Sequence, residues 1–173
     1  MALRTLADYL SLYRRSSGRG FLPPHAHPFL VGRRVDLAQR EFQTAVISLD
    51  DVVGGSLREQ VPLDAIVLPV VKRPDGAFPG RVGVGRVSTV DIRIPSAEVS
   101  KYHAYFSCDA DGWTLTDASS RNGTWVDGER LMPGRPVALW DGACVQFANE
   151  SFVHHSAEGL YGYLAELNVS AAV

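Results

Sequence analysis

The sequence predicts an all-β domain, sandwich or barrel, behind an N-terminal extension that carries one short helix. Three observations point there. Short β-rich runs crowd the stretch from residue 65 to residue 147. Turn residues separate them: Pro74-Asp75-Gly76, Asp111-Gly112, Asn122-Gly123, Asp127-Gly128, Pro133-Gly134 and Asp141-Gly142. Short strands with this punctuation mark an all-β fold. The third observation is alternation. Val90, Ile92 and Ile94 take one side of their run and Asp91 and Arg93 the other, as an antiparallel strand with one buried face requires. Trp113 and Leu115 alternate in the same way with Thr114 and Thr116. There is no internal repeat and none of the helix–strand alternation of a parallel α/β enzyme.

The elements follow in chain order. Leu3, Leu6, Leu10 and Tyr13 recur at helical steps and share one face, with Arg4, Asp8, Arg14 and Arg15 off the stripe. This amphipathic helix ends by Gly18 or Gly20 and is expected to pack on its own domain. Residues 21–28 hold Pro23, Pro24 and Pro28, and each proline turns its predecessor away from helix. Residues 42–49 read as one strand, and residues 50–60, with Gly54-Gly55, as a loop or short helix. Strands are expected over 65–71, 81–85, 90–94, 103–108, 112–117, 123–126, 136–140 and 143–147. Near the C-terminus Tyr161, Tyr163 and Leu164 are expected to seal the core. The expected organisation is an extension over 1–62 packed on the sandwich, a β domain over 63–155, and a C-terminal segment over 156–173 packed on that domain.

Composition narrows the function. Hydrophobic residues are 46% and charged residues 21%, ordinary globular usage. No apolar run approaches the roughly 18 residues of a membrane span. Arg4 and Asp8 interrupt the stretch where a signal peptide needs an apolar core, so a cytoplasmic location is expected, with no membrane partner. Cys108 and Cys144 make no disulfide framework and are expected to be reduced. The formal net charge of -2 excludes a bulk polyanion binder, hence nucleic acid. That charge is unevenly spread: +5 over residues 1–40, -3 over 41–62 and -4 over 63–173.

Three loops of the acidic β region carry one cation each. They are Gly85-Arg86, Ser100-Lys101-Tyr102-His103 and Ser119-Ser120-Arg121-Asn122-Gly123-Thr124. Arg offers planar forked hydrogen bonds to phosphate oxygens, Lys a point charge and Ser a neutral donor. The Asn122 carboxamide both donates and accepts. Such a set suits a phosphate monoester lying against a peptide backbone, provided the fold brings the loops together. Ser100, His103 and Asp117 lack the nucleophile elbow of a hydrolase, so no catalytic residue is assigned. Gly83 and Gly85 are followed by neither a third loop glycine nor a helix, and no phosphate-loop lysine motif occurs. His25 and His27, and His154 and His155, lack the partners that a metal needs at ligand spacing, so no metal and no cofactor is expected.

The run over residues 85–147 resembles the forkhead-associated (FHA) domain, a reader of phosphothreonine peptides. The family pattern is Gly-Arg, then about fourteen residues on a Ser-Arg/Lys-x-His, then Asp-x-x-Ser-x-Asn-Gly-Thr, a hairpin and a Gly-Asp-x-Ile-x-Phe-Gly-like strand. Here these are Gly85-Arg86, Ser100-Lys101-Tyr102-His103, Asp117 to Thr124, and Asp141-Gly142-Ala143-Cys144-Val145-Gln146-Phe147. The resemblance covers roughly residues 63–155. It implies a two-sheet antiparallel β-sandwich of eleven strands with the binding loops at one end. It places Arg86 and Ser100 on the phosphate, Lys101 and Arg121 on phosphate or flanking peptide, and Asn122 on the ligand main chain. It makes His103 a brace of the loops, and Gly85, Gly123 and Thr124 structural supports of the site. The chain departs from the pattern at Ala143, at Ala148 where Gly is common, and at Asp127-Gly128, which still suits a type I′ turn. The implied function is a non-enzymatic module that recognises phosphothreonine on a partner protein, with a Ser/Thr kinase and a phosphatase behind the modification. The alternative is a phosphorylation-independent scaffold with the same fold.

Overall fold

The computed structural model describes residues 4–16, 20, 26–32, 62–76 and 78–170. The strand expected over 42–49, the stretch 50–60 and His25 lie outside them. Helix α1 spans Leu6–Arg15. It starts at a capping box: Asp8 N–H donates to Thr5 Oγ1, and Thr5 N–H donates back to the Asp8 carboxylate at 2.8 Å. Leu6, Tyr9 and Leu10 are buried and Tyr13 packs at their margin, so the apolar stripe faces the protein.

Among the described residues there are twelve strands, in chain order: β1 Arg4–Thr5, β2 Phe29–Gly32, β3 Ile66–Pro69, β4 Val82–Gly85, β5 Ile92–Arg93, β6 Ala104–Asp109, β7 Gly112–Asp117, β8 Thr124–Val126, β9 Glu129–Arg130, β10 Val137–Ala138, β11 Cys144–Phe147 and β12 Glu150–His155. Helix α2, Ala157–Ser170, comes last. One sheet has the order β1-β3-β2-β12-β11-β8-β9 and the other β10-β7-β6-β4-β5. The fold is thus the expected two-sheet FHA-type sandwich with a short N-terminal helix. One pair departs from the antiparallel expectation: β4 and β5 run parallel, with Val84 opposite Ile92. The Asp91 carboxylate folds that connection back, accepting Gly83 N–H at 2.7 Å and Arg73 N–H at 2.9 Å and pairing with Lys72 at 3.0 Å. The returning chain leaves only a two-residue edge strand.

Between the sheets lies a core that includes Leu30, Val84, Ile94, Phe106, Leu115, Val145 and Phe147. Val90, Ile92 and Ile94 are buried and Arg93 is exposed, as their alternation requires. Thr116, expected on the open face with Thr114, is instead buried at 2% exposure. A second cluster covers the outer face of the seven-stranded sheet, where Leu6, Tyr9 and Leu10 of α1 and Leu160, Tyr163 and Leu164 of α2 meet Phe29, Val31 and Val67. Strand β2 therefore sits inside the sheet, with Leu30 in one core and Phe29 and Val31 in the other. No helix among the described residues is long and apolar enough to cross a membrane.

The hairpin between β8 and β9 turns through Asp127 (φ 47°) and Gly128 (φ 80°), the two left-handed residues of a type I′ turn. Ala148 is also left-handed, at φ 57°, where the resembling family commonly has Gly. A Cβ there costs about 1–2 kcal/mol. Ala148→Gly should gain part of that, about 0.5–1 kcal/mol after the added freedom of the unfolded chain, read as a higher urea midpoint. Phe29→Ala should lose about 3–5 kcal/mol in the same assay, because Phe29 is fully buried where the sheet meets the helices.

Candidate functional site

Strand register decides where the three cation-bearing loops emerge. Val84 pairs with Ala104, and Ala104 pairs with Asp117. The end of β4, the start of β6 and the end of β7 therefore share one end of the five-stranded sheet. The loops after β4, before β6 and after β7 carry Arg86, Ser100 with Lys101, and Arg121 with Asn122. The fold supplies the convergence that loop spacing alone leaves open.

Main-chain contacts lock the first two loops. Arg86 N–H donates to the Ser100 carbonyl at 3.0 Å, and Arg93 Nε donates to the Arg86 carbonyl at 3.2 Å. Gly85 permits this approach, since a Cβ there would overlap the Lys101 carbonyl. His103 joins the second loop to the third. It is fully buried. Ser100 N–H donates to its Nδ1 at 3.0 Å. Its Nε2 lies 2.8 Å from the Gly123 carbonyl, which can only accept, so Nε2 carries the proton and the ring is neutral. Burial pushes the His103 pKa below the ordinary imidazole value, although the Gly123 carbonyl and the Asp117 charge favour the cation.

The third loop is held from beneath by Asp117, which is 1% exposed. Its carboxylate accepts Ser120 N–H at 3.0 Å and the hydroxyls of Ser120 and Thr124, both at 2.6 Å. Ser120 Oγ then accepts Gly123 N–H at 3.0 Å. Ser119 (φ 60°) and Gly123 (φ 90°) turn left-handed on either side of Arg121-Asn122 and present that pair outward. Ser100 Oγ accepts Arg121 N–H at 3.0 Å, which leaves the hydroxyl proton for another acceptor. Asn122 Nδ2 donates to both the Glu98 carbonyl, 2.8 Å, and its carboxylate, 2.9 Å.

The result is an open depression of about 360 Å³ lined by Arg86, Glu98, Ser100, Lys101, Tyr102 and Arg121, among others. Arg86, Lys101 and Arg121 are exposed, and among the described residues none has a carboxylate within 4.0 Å. Every residue that the resemblance assigns to the site is at this end, either on the depression or in the bonds behind it. Three participants were given no role in the site there. Asp117 and Ser120 belong to the quoted motif, and an Asp with a Ser three residues on is a local side-chain-to-backbone turn signal. Glu98 offers no such signal, because its partner is 24 positions away. His27 and His154 lie elsewhere: His27 sits against Phe29, and His154 is buried with Nδ1 2.9 Å from the Trp140 carbonyl.

Residues 82–148 match the family model described as the FHA domain. The chain is 38% identical over 63 residues to the E3 ubiquitin-protein ligase rnf8 of Danio rerio, covering 34% of this chain and 13% of that protein. It is 38% identical over 56 residues to the angiogenic factor with G patch and FHA domains 1 of Mus musculus, covering 31% and 8%. It therefore spans only a small part of these relatives. Among solved structures, it is similar to an FHA domain of an Arabidopsis thaliana hypothetical protein, with 26% identity, TM-score 0.44, and 52% and 73% of the two chains covered. It is also similar to Mycobacterium tuberculosis EmbR in complex with a low affinity phosphopeptide, with 29% identity, TM-score 0.41, and 44% and 20% covered.

The His103 bridge has a pH signature. Burial depresses the pKa of His103 and of His154 in the folded chain, so below about 6.5 the unfolded chain takes up protons that the folded one refuses. Stability should be full above that pH and fall as pH drops from about 6.5 toward 5, read as a decreasing urea midpoint. Imidazole NMR should show His103 mostly neutral, with its proton on Nε2, at pH 6.5, where a free imidazole is half protonated.

Proposed function

We propose that these loops bind a phosphothreonine side chain of a partner protein. The carrying observation is that three cations without carboxylate partners among the described residues line one depression with the Ser100 hydroxyl, in a region of net charge -4. The match of residues 82–148 to the FHA family model supports the same reading. The Arg86 guanidinium gives forked bonds to two phosphate oxygens. Ser100 Oγ–H donates a third bond, since its lone pair already receives Arg121 N–H. Lys101 and Arg121 supply charge, and Asn122 meets the ligand main chain. Charge-assisted bonds at about 1.5–3 kcal/mol each supply much of the roughly 8 kcal/mol of a micromolar complex. The module has no chemistry to perform. A kinase and a phosphatase, acting on the partner, set whether the site is filled.

Arg86→Ala tests the pocket cleanly, because the backbone bonds of residue 86 to Ser100 and Arg93 survive the substitution. Affinity for a degenerate phosphothreonine peptide library should fall about 30-fold or more, with an unchanged urea midpoint. Retained binding would remove Arg86 from the site. Equal capture of a partner before and after phosphatase treatment would favour the phosphorylation-independent scaffold.

A further inference from the structure

The free site holds one group that a phosphate reader does not need. Glu98 lines the depression, is exposed, and holds the Asn122 amide through both its carbonyl and its carboxylate. Among the described residues its carboxylate forms no ion pair with Arg86, Lys101 or Arg121. A ligand main-chain carbonyl that accepts from Asn122 Nδ2 has to take the place of that carboxylate bond. The displaced carboxylate then stands beside the bound peptide without a partner. A Lys or Arg of the peptide satisfies it, whereas an Asp or Glu is repelled.

We infer that Glu98 is a specificity-determining residue, selecting phosphothreonine peptides with a cationic side chain next to the phosphothreonine. The inference rests on the phosphopeptide reading above and adds the charge class of the ligand. Its sign is informative. Arg86, Lys101 and Arg121 by themselves favour acidic flanks, so a preference for basic flanks has to come from Glu98.

The test compares three phosphothreonine peptides, with Lys, Ala or Asp at the flanking positions, by fluorescence anisotropy at constant salt. Wild type and E98Q are both measured. The ratio of Kd for the Asp peptide to Kd for the Lys peptide should drop by more than about twofold and up to about fivefold in E98Q, the size of one exposed charge pair. The Ala peptide should bind E98Q at least as tightly as wild type. A ratio unchanged within about twofold, or moving the other way, overturns the role of Glu98 and leaves the phosphate site standing. Failure of all three peptides to bind either protein overturns the site reading, and the role of Glu98 falls with it.

Discussion

The site depends on one imidazole. His103 uses both ring nitrogens, one on each of two loops, and a ring can do this only in a fixed protonation state. A backbone N–H donates to Nδ1 and a backbone carbonyl accepts from Nε2. The cationic ring would have two donors and would face Ser100 N–H with no acceptor. Burial therefore stabilises the same form that the geometry requires. The first loop joins through the bond from Arg86 N–H to the Ser100 carbonyl, so all three loops are referenced to this ring.

Fixed backbone and free side chains divide the work. Gly123 shows the economy of the arrangement: its carbonyl accepts from both His103 Nε2 and Ala148 N–H at 3.0 Å, tying the loop to the end of β11. The buried Asp117 carboxylate is satisfied by neutral donors from Ser120 and Thr124. It recruits no arginine or lysine within 4.0 Å among the described residues, so Arg121 stays on the surface. A protein of net charge -2 thereby keeps a local cationic site. The helices lie against the outer face of the seven-stranded sheet and stabilise it without touching this chemistry.

Much of the sandwich was legible because half-buried strands announce themselves by alternation and by turn residues. Ile92 and Ile94 against Arg93 is such a case. Strand β2 is not: Phe29, Leu30 and Val31 are all buried, so no period-two signal exists, and its neighbours β3 and β12 are remote in sequence. Helix α2 hid for another reason. Its inward residues Leu160, Tyr163 and Leu164 do stand at helical spacing, but Gly159 and Gly162 weaken helix propensity among them. Of the site, the cations, Ser100 and Asn122 were legible by residue type. That the loops meet follows from strand register, which local pattern does not encode. Glu98 was invisible because its importance is a single contact with Asn122.

The most direct test of the account is an amide NMR titration with a phosphothreonine peptide pool and its unphosphorylated counterpart. The account predicts shifts confined to residues 86, 98–103 and 119–123 with the phosphorylated pool, and none with the other. Equal responses to both pools, or shifts centred on α1 and α2, would contradict it.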